Sequence, residues 1–274
     1  MKERLKLKRG LSEISPLFTK TSRLSDSMVV HEPDSVLPPS SLLGQPEIVF
    51  SWSVDDEADA HFLNNYFASK LVSPHSPGLL ITVGTERKQT ESVPKSEPWN
   101  DSLRRLCVPA SQINEAFSSK LMTYDGALSF EFGNRIFLEM KMNVLLKSPD
   151  LIKSLDRVVL FMHPQVESIT ETYRKLKKMA ACGLSADISI VFDADDAAGL
   201  SARVYELFSD FVSKRLSLNS NYLGTLHLSR GGAGLSQDLR WTNWGAGSLF
   251  RKMNLEKLRF LSWVEKKQGA QICP

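Results

Sequence analysis

The residues best suited to chemistry are carboxylates. Asp55, Asp56, Glu57 and Asp59 crowd one stretch, SWSVDDEADAHF, and Asp193, Asp195 and Asp196 crowd another. Clustered carboxylates can hold magnesium or calcium, but neither run has the glycine-punctuated spacing of a calcium loop. Both also stand where a helix is about to begin. Acidic side chains there cap free N–H groups and complement the helix dipole, so helix-capping or solvated acids are expected and no metal site. The histidines (His31, His61, His75, His163 and His227) form no i,i+4 ligand pair and sit in no nucleophile motif. Serine turns such as GAGLS and WGAGS do not match a nucleophile elbow. The glycine-rich RGGAG, residues 230–234, follows the last strand pattern and reads as a flexible turn. Cys107, Cys182 and Cys273 are widely spaced with no CxxC pair, which argues against a disulfide framework or structural zinc and for a reducing compartment.

These residues need a scaffold, and the hydrophobic pattern supplies one. Residues 48–54 read as a buried strand and 58–72 as a helix, followed by a strand at 78–84, a polar loop at 85–101 and a helix around SLRRLC. Residues 110–135 are ambiguous, with a helix over SQINEAFSSKLM as one reading. From there strands are expected at 135–143, 157–164, 187–195 and 221–229, alternating with helices at 148–155, 168–183 and 197–217. Apolar runs, each separated from the next by a helix, indicate an α/β fold with a mostly parallel sheet covered on both faces.

Within this alternation, RVVLFMHPQVESITETYRKLKKM places Pro164, Ser168, Ile169 and Tyr173 at a familiar spacing, and SIVFDADDAAGLSARVYELF and then NYLGTLHLS follow in order, with Tyr222, Leu223 and Gly224. The stretch from 155 to 228 resembles the C-terminal half of MinD/ParA/FlhG-type ATPases of the deviant-Walker class. That resemblance implies a P-loop NTPase-like fold of the MinD/ParA type and processes organised at a bacterial inner membrane, such as assembly of flagella, pili, secretion or polysaccharide-export machinery.

Active members of that family need a loop of the form KGGxGK[ST] after the first strand, because backbone amides and a lysine must neutralise a triphosphate. The matching turn here has no glycine, lysine or helix-starting hydroxyl, and its carboxylates at Asp55, Asp56, Glu57 and Asp59 would repel phosphate. The strand near 137 should end in an aspartate and a DTPAG-like turn, whereas this chain has IFLEMKMNVLLKS, with Glu139 or Asn143 nearest that role. The family asparagine that reads the base falls at Asp193, which offers acceptors only. The expectation is a pseudo-ATPase without a cofactor. The opposing reading is a divergent nucleotide site completed from elsewhere.

Three candidate contact surfaces remain. Residues 1–46 form a peptide and Pro/Ser-rich linker, with Leu11, Ile14, Leu17 and Phe18 at helical spacing; the segment either presents a tethered peptide or wraps the domain. Ahead of the boundary of the 47–246 domain, Trp241 and Trp244 are either an exposed protein-contact spot or packing. In 247–274, Phe250, Met253, Leu258, Phe260, Leu261 and Trp263 interleave with Arg251, Lys252, Lys257 and Arg259. Such a basic amphipathic helix lies on an anionic membrane surface, binds a partner, or docks on its own fold. The net charge, +3 from 34 basic and 31 acidic residues, gives no global field for nucleic acid. No run approaches the ~20 apolar residues of a membrane span, so a cytoplasmic protein is expected, peripheral at the inner membrane at most. Protein partners are expected, with an active paralogue or a second copy as candidates.

Overall fold

The computed structural model describes residues 46–53, 57–84, 102–118, 135–194, 199–228, 235–239, 244 and 254–268. Its strands are β1 (Glu47–Ser53), β2 (Gly78–Gly84), β3 (Leu103–Pro109), β4 (Arg135–Glu139), β5 (Arg157–Met162), β6 (Asp187–Phe192), β7 (Ser220–Leu228) and β8 (Leu235–Leu239). They form one 8-stranded sheet in the order β3-β2-β4-β1-β5-β6-β7-β8. Every pairing is parallel except β7 with β8. The expected mostly parallel sheet flanked by helices is therefore present.

The helices are α1 (Glu57–Leu71), α2 (Ala110–Ile113), α3 (Glu115–Ser118), α4 (Met142–Leu145), α5 (Pro149–Ser154), α6 (Val166–Ala181), α7 (Leu200–Leu216) and α8 (Leu255–Gln268). Strand order and handedness decide which face each covers. The step from β1 to β2 runs one way along the sheet, while those from β5 to β6 and β6 to β7 run the other. Right-handed crossovers therefore put α1 on one face and α6 and α7 on the opposite one. The two cores agree. Leu63, Phe67 and Leu71 of α1 join Val49, Leu80, Phe137, Val159 and Phe161. Ile169, Leu176, Phe208 and Phe260 join Ile48, Phe50, Leu138, Leu160 and Ile190. Because both faces are covered, β5 is buried along its whole length, which explains its unbroken apolar run.

In β7 the register passes from Ile190↔Tyr222 to Val191↔Gly224, leaving Leu223 as an extra residue. Gly224 at this bulge has φ 122, a conformation glycine adopts without strain. The bulge keeps Leu223 and Leu226 on the α1 side of the sheet.

Three expectations need correction. Residues 103–109, whose LRRL spacing suggests a helix, form edge strand β3, because Leu106 and Val108 alternate inward while Arg104 is exposed. The strand expected at 135–143 stops at Glu139, and Met142 already begins α4. In the 110–135 region two one-turn helices, α2 and α3, are described, and 119–134 lie outside the described residues. Strand β8 has no counterpart in the sequence reading.

Of the open readings of the C-terminal helix, docking on its own fold is the one observed. Phe260, Leu261 and Val264 of α8 are fully enclosed in the main core, each worth about 1.5–3 kcal/mol by area. Asn254 caps the helix, its Oδ1 accepting from the Lys257 amide at 2.7 Å while its Nδ2 donates to the Lys153 carbonyl at 2.8 Å. Phe260 stacks on Phe117 of α3, and Lys267 donates to Gln112 of α2 at 2.9 Å. The apolar face is thus occupied by the protein's own core and is not presented to a membrane or partner in this structure. Among the described residues no helix is long and apolar enough to cross a membrane.

Candidate functional site

Open α/β sheets bind ligands beyond the carboxyl ends of their strands, where the crossover direction reverses. In this sheet the reversal falls between β1, followed by α1 on one face, and β5, followed by α6 on the other. The candidate site is therefore the carboxyl edge of β2, β4, β1, β5 and β6.

Two side-chain pairs stand there. On the α1 face, Thr82 Oγ1 of β2 donates to Glu139 Oε2 of β4 at 2.8 Å. Just beyond β5 and β6, His163 Nδ1 lies 2.7 Å from the Asp193 carbonyl and its Nε2 3.7 Å from Asp193 Oδ2. The His163 amide donates to Ser168 Oγ at 3.1 Å, and the Asp193 amide donates to the Met162 carbonyl at 3.0 Å. Both turns are thereby held against the sheet. His163, one of the histidines that the sequence places in no ligand pair or nucleophile motif, is half-exposed. Asp193, the predicted base-reading position, is brought to His163. Glu57 and Asp59 fall in the first turn of α1, while Asp55, Asp56, Asp195 and Asp196 lie outside the described residues. Only residues 54–56 separate Ser53, the end of β1, from Glu57, the start of α1.

The amino edge of the same sheet is built differently. Glu47 of β1 accepts from Arg157 Nε at 2.9 Å, from Arg135 Nε at 3.4 Å and from Trp244 Nε1 at 3.2 Å. Burial alone would push the Glu47 carboxyl up. The Arg157 and Arg135 guanidiniums, with the hydrogen bonds from Arg157 and Trp244, outweigh it and hold the group below its usual value. Arg157 also donates to Ser189 Oγ at 2.9 Å and to the Trp244 carbonyl at 2.7 Å, with its guanidinium 4.3 Å from the Trp244 ring centroid. Beside it, Asp156 Oδ2 accepts from the Ile48 amide at 2.7 Å and from Lys257 Nζ at 2.5 Å.

This edge absorbs several predicted contact residues. Trp244 is 2% exposed and packs 5.4 Å from Phe67, so of its two readings packing is the one observed. Lys257, Phe260, Leu261 and Trp263 are buried, and Leu258 and Arg259 are half-buried. Leu11, Ile14, Leu17, Phe18, Trp241, Phe250, Arg251, Lys252 and Met253 lie outside the described residues. The arginine–glutamate–tryptophan cluster itself was missed, because its members are scattered from 47 to 244 with no local motif.

No protein-family model matches the chain, and no curated protein matches it. The structural neighbours are MinD/ParA family ATPases. MinD from the MinC:MinD cell division protein complex of Aquifex aeolicus is similar at 12% identity and TM-score 0.42, covering 83% of this chain and 98% of that one. A ParA family ATPase from Chlorobium tepidum is similar at 13% identity and TM-score 0.39, covering 68% of this chain and 85% of that one.

Proposed function

We propose that this chain is a non-catalytic protein of the MinD/ParA type that works by binding protein partners and not by hydrolysing a nucleotide. The observation behind this reading is the connection between β1 and α1. A phosphate loop spans eight residues, its glycines letting several backbone N–H groups converge on the phosphates and its lysine supplying charge. Here the stretch from Val54 to Phe62 contains no glycine and no lysine, and no glycine occurs between Gly44 and Gly78. Such a stretch lacks the parts of a phosphate loop, and its carboxylates, Asp55, Asp56, Glu57 and Asp59, oppose a phosphate electrostatically. Neighbouring positions point the same way: Glu139 is engaged by Thr82, and Asp193 by His163.

The partner is another protein, an active paralogue or a second copy of this chain being the candidates, in a bacterial membrane-associated assembly such as a flagellum, pilus, secretion or polysaccharide-export system. Isothermal titration with ATP and with GTP, each with magnesium and to millimolar concentration, tests the central claim. No saturable heat is expected from folded protein. Saturable, magnesium-dependent binding would overturn the reading and restore a divergent nucleotide site.

A further inference from the structure

The outer side of α6 and α7 carries charge that the fold does not use. Both helices connect parallel strands on the same face of the sheet, so they run in the same direction, and Tyr173 of α6 packs against Phe211 of α7 with ring centroids 4.9 Å apart. One turn further on, Lys177 and Arg215 come level with each other; both are exposed, and the Arg215 guanidinium lies 5.9 Å from the Phe211 ring centroid. Arg174, Lys177 and Lys178 share one helical face at i, i+3 and i+4. Two carboxylates belong to this strip. Glu171 is shared by Arg174 at 3.4 Å and Lys175 at 3.2 Å, and Asp210 holds Lys214 at 2.6 Å. Lys177, Lys178 and Arg215 have no carboxylate partner among the described residues. Six cations and two carboxylates give the strip a net charge of +4, in a chain that carries +3 in all. Helix dipoles favour cations in the last turn, where Lys178, Lys214 and Arg215 stand, but do not account for Arg174 and Lys177 before it.

Like charge gathered on one surface repels itself until an anion meets it. The strip has nothing to insert into a bilayer, since the exposed large hydrophobic residues among those described, Leu200 and Leu255, stand at the starts of α7 and α8. A nucleic acid would set its closely spaced phosphates against Glu171 and Asp210 as well as against the cations. A short acidic stretch of a protein can place its carboxylates on the three unpaired cations and avoid those two. We propose that the outer C-terminal halves of α6 and α7 form a docking surface for an acidic segment of a protein partner, with Lys177, Lys178 and Arg215 receiving its carboxylates. The inference rests on the reading of this chain as a binder of protein partners and gives one such contact its chemistry.

A fluorescent oligoglutamate peptide, followed by anisotropy with the intact chain at low ionic strength, is the probe. The natural chain is expected to bind it saturably, and more weakly as salt rises. Lys177→Glu combined with Arg215→Glu should weaken binding about ten-fold or more, and Lys177→Gln combined with Arg215→Gln by a smaller factor, at unchanged unfolding midpoint. Lys147→Glu combined with Lys266→Glu makes the same change in net charge at residues exposed elsewhere, and should weaken binding less than about two-fold. Equal losses from the two glutamate pairs would overturn the proposal, because net charge alone would then be acting. So would the absence of saturable binding, or tighter binding of phosphatidylserine vesicles or duplex DNA through the same two residues. No nucleotide enters this experiment. Nucleotide binding found by titration would therefore remove the non-catalytic reading and leave this surface standing, while failure here would leave that reading in place.

Discussion

The two edges of this sheet are built from similar side chains put to opposite uses. At the amino edge, Glu47 with Arg135 and Arg157, and Asp156 with Lys257, are withdrawn from water as ion pairs, with Trp244 over Arg157. At the carboxyl edge, the His163–Asp193 contact is partly exposed, at 37% and 24%, and longer at 3.7 Å. Consecutive residues explain how the amino edge acts. Asp156 holds the start of α8 through Lys257, and Arg157, pointing to the other face, holds Trp244. Trp244 and Lys257 are thus held on opposite faces of the sheet at the start of β5. The contrast assigns stability to the amino edge.

The largest effect that could break this contrast is at Arg157. Arg157→Met should cost about 3–5 kcal/mol in denaturant unfolding, since it strips a buried carboxylate of its main partner. A loss below about 1 kcal/mol would remove the amino edge from its structural role. Lys257→Met should cost slightly less, about 3 kcal/mol, because Asp156 keeps the Ile48 amide as a donor. The same variant should loosen α8, seen as faster hydrogen exchange across Leu255–Gln268.

Acid sharpens the comparison next. The Glu47 carboxyl is held below its usual value in the folded protein, so the folded state favours the ionised form. Its contribution is therefore fully present above the unfolded value, about 4.3, and is lost as pH falls through the lower folded value. Unfolding free energies followed from pH 7 to 3 should fall in that interval for the natural chain, and Glu47→Gln should lose that part of the slope. An unchanged slope would place the acid sensitivity elsewhere.

What the sequence reveals follows from how local each feature is. The buried strands β4, β5 and β6 and helices α6 and α7 could be read because apolar periodicity is a local signal. Strand β3 misleads because an edge strand needs only Leu106 and Val108 inward, and Leu103 and Leu106 are three apart as in a helix. For α8 the sequence identifies the apolar face and cannot say what meets it: Phe260 and Leu261 would suit lipid or core equally, and it is Asp156, a hundred residues away, that decides for core. The amino-edge cluster is illegible for the same reason, being assembled from β1, β4, β5 and the 244 region. At the carboxyl edge the absence of glycine and lysine between 51 and 62 is visible in the sequence, while the pairing of His163 with Asp193 requires the parallel alignment of β5 and β6.

The smallest expected effect is on that pair, and it separates the two edges most directly. His163→Ala removes a half-exposed ring whose Nδ1 bonds a backbone carbonyl and whose Nε2 stands 3.7 Å from a carboxylate. Solvent screens such a contact, and the Asp193 amide keeps its bond to Met162, so unfolding stability should change by less than about 1 kcal/mol. Partner binding through the carboxyl edge should respond to the same change, because the ring and the Asp193 carboxylate are among the few described polar groups there that solvent reaches. A partner recovered with the natural chain and lost with His163→Ala, at unchanged stability, would tie recognition to this edge. A loss of stability comparable to that of Arg157→Met would instead mean that both edges are structural and that the recognition surface lies elsewhere on the molecule.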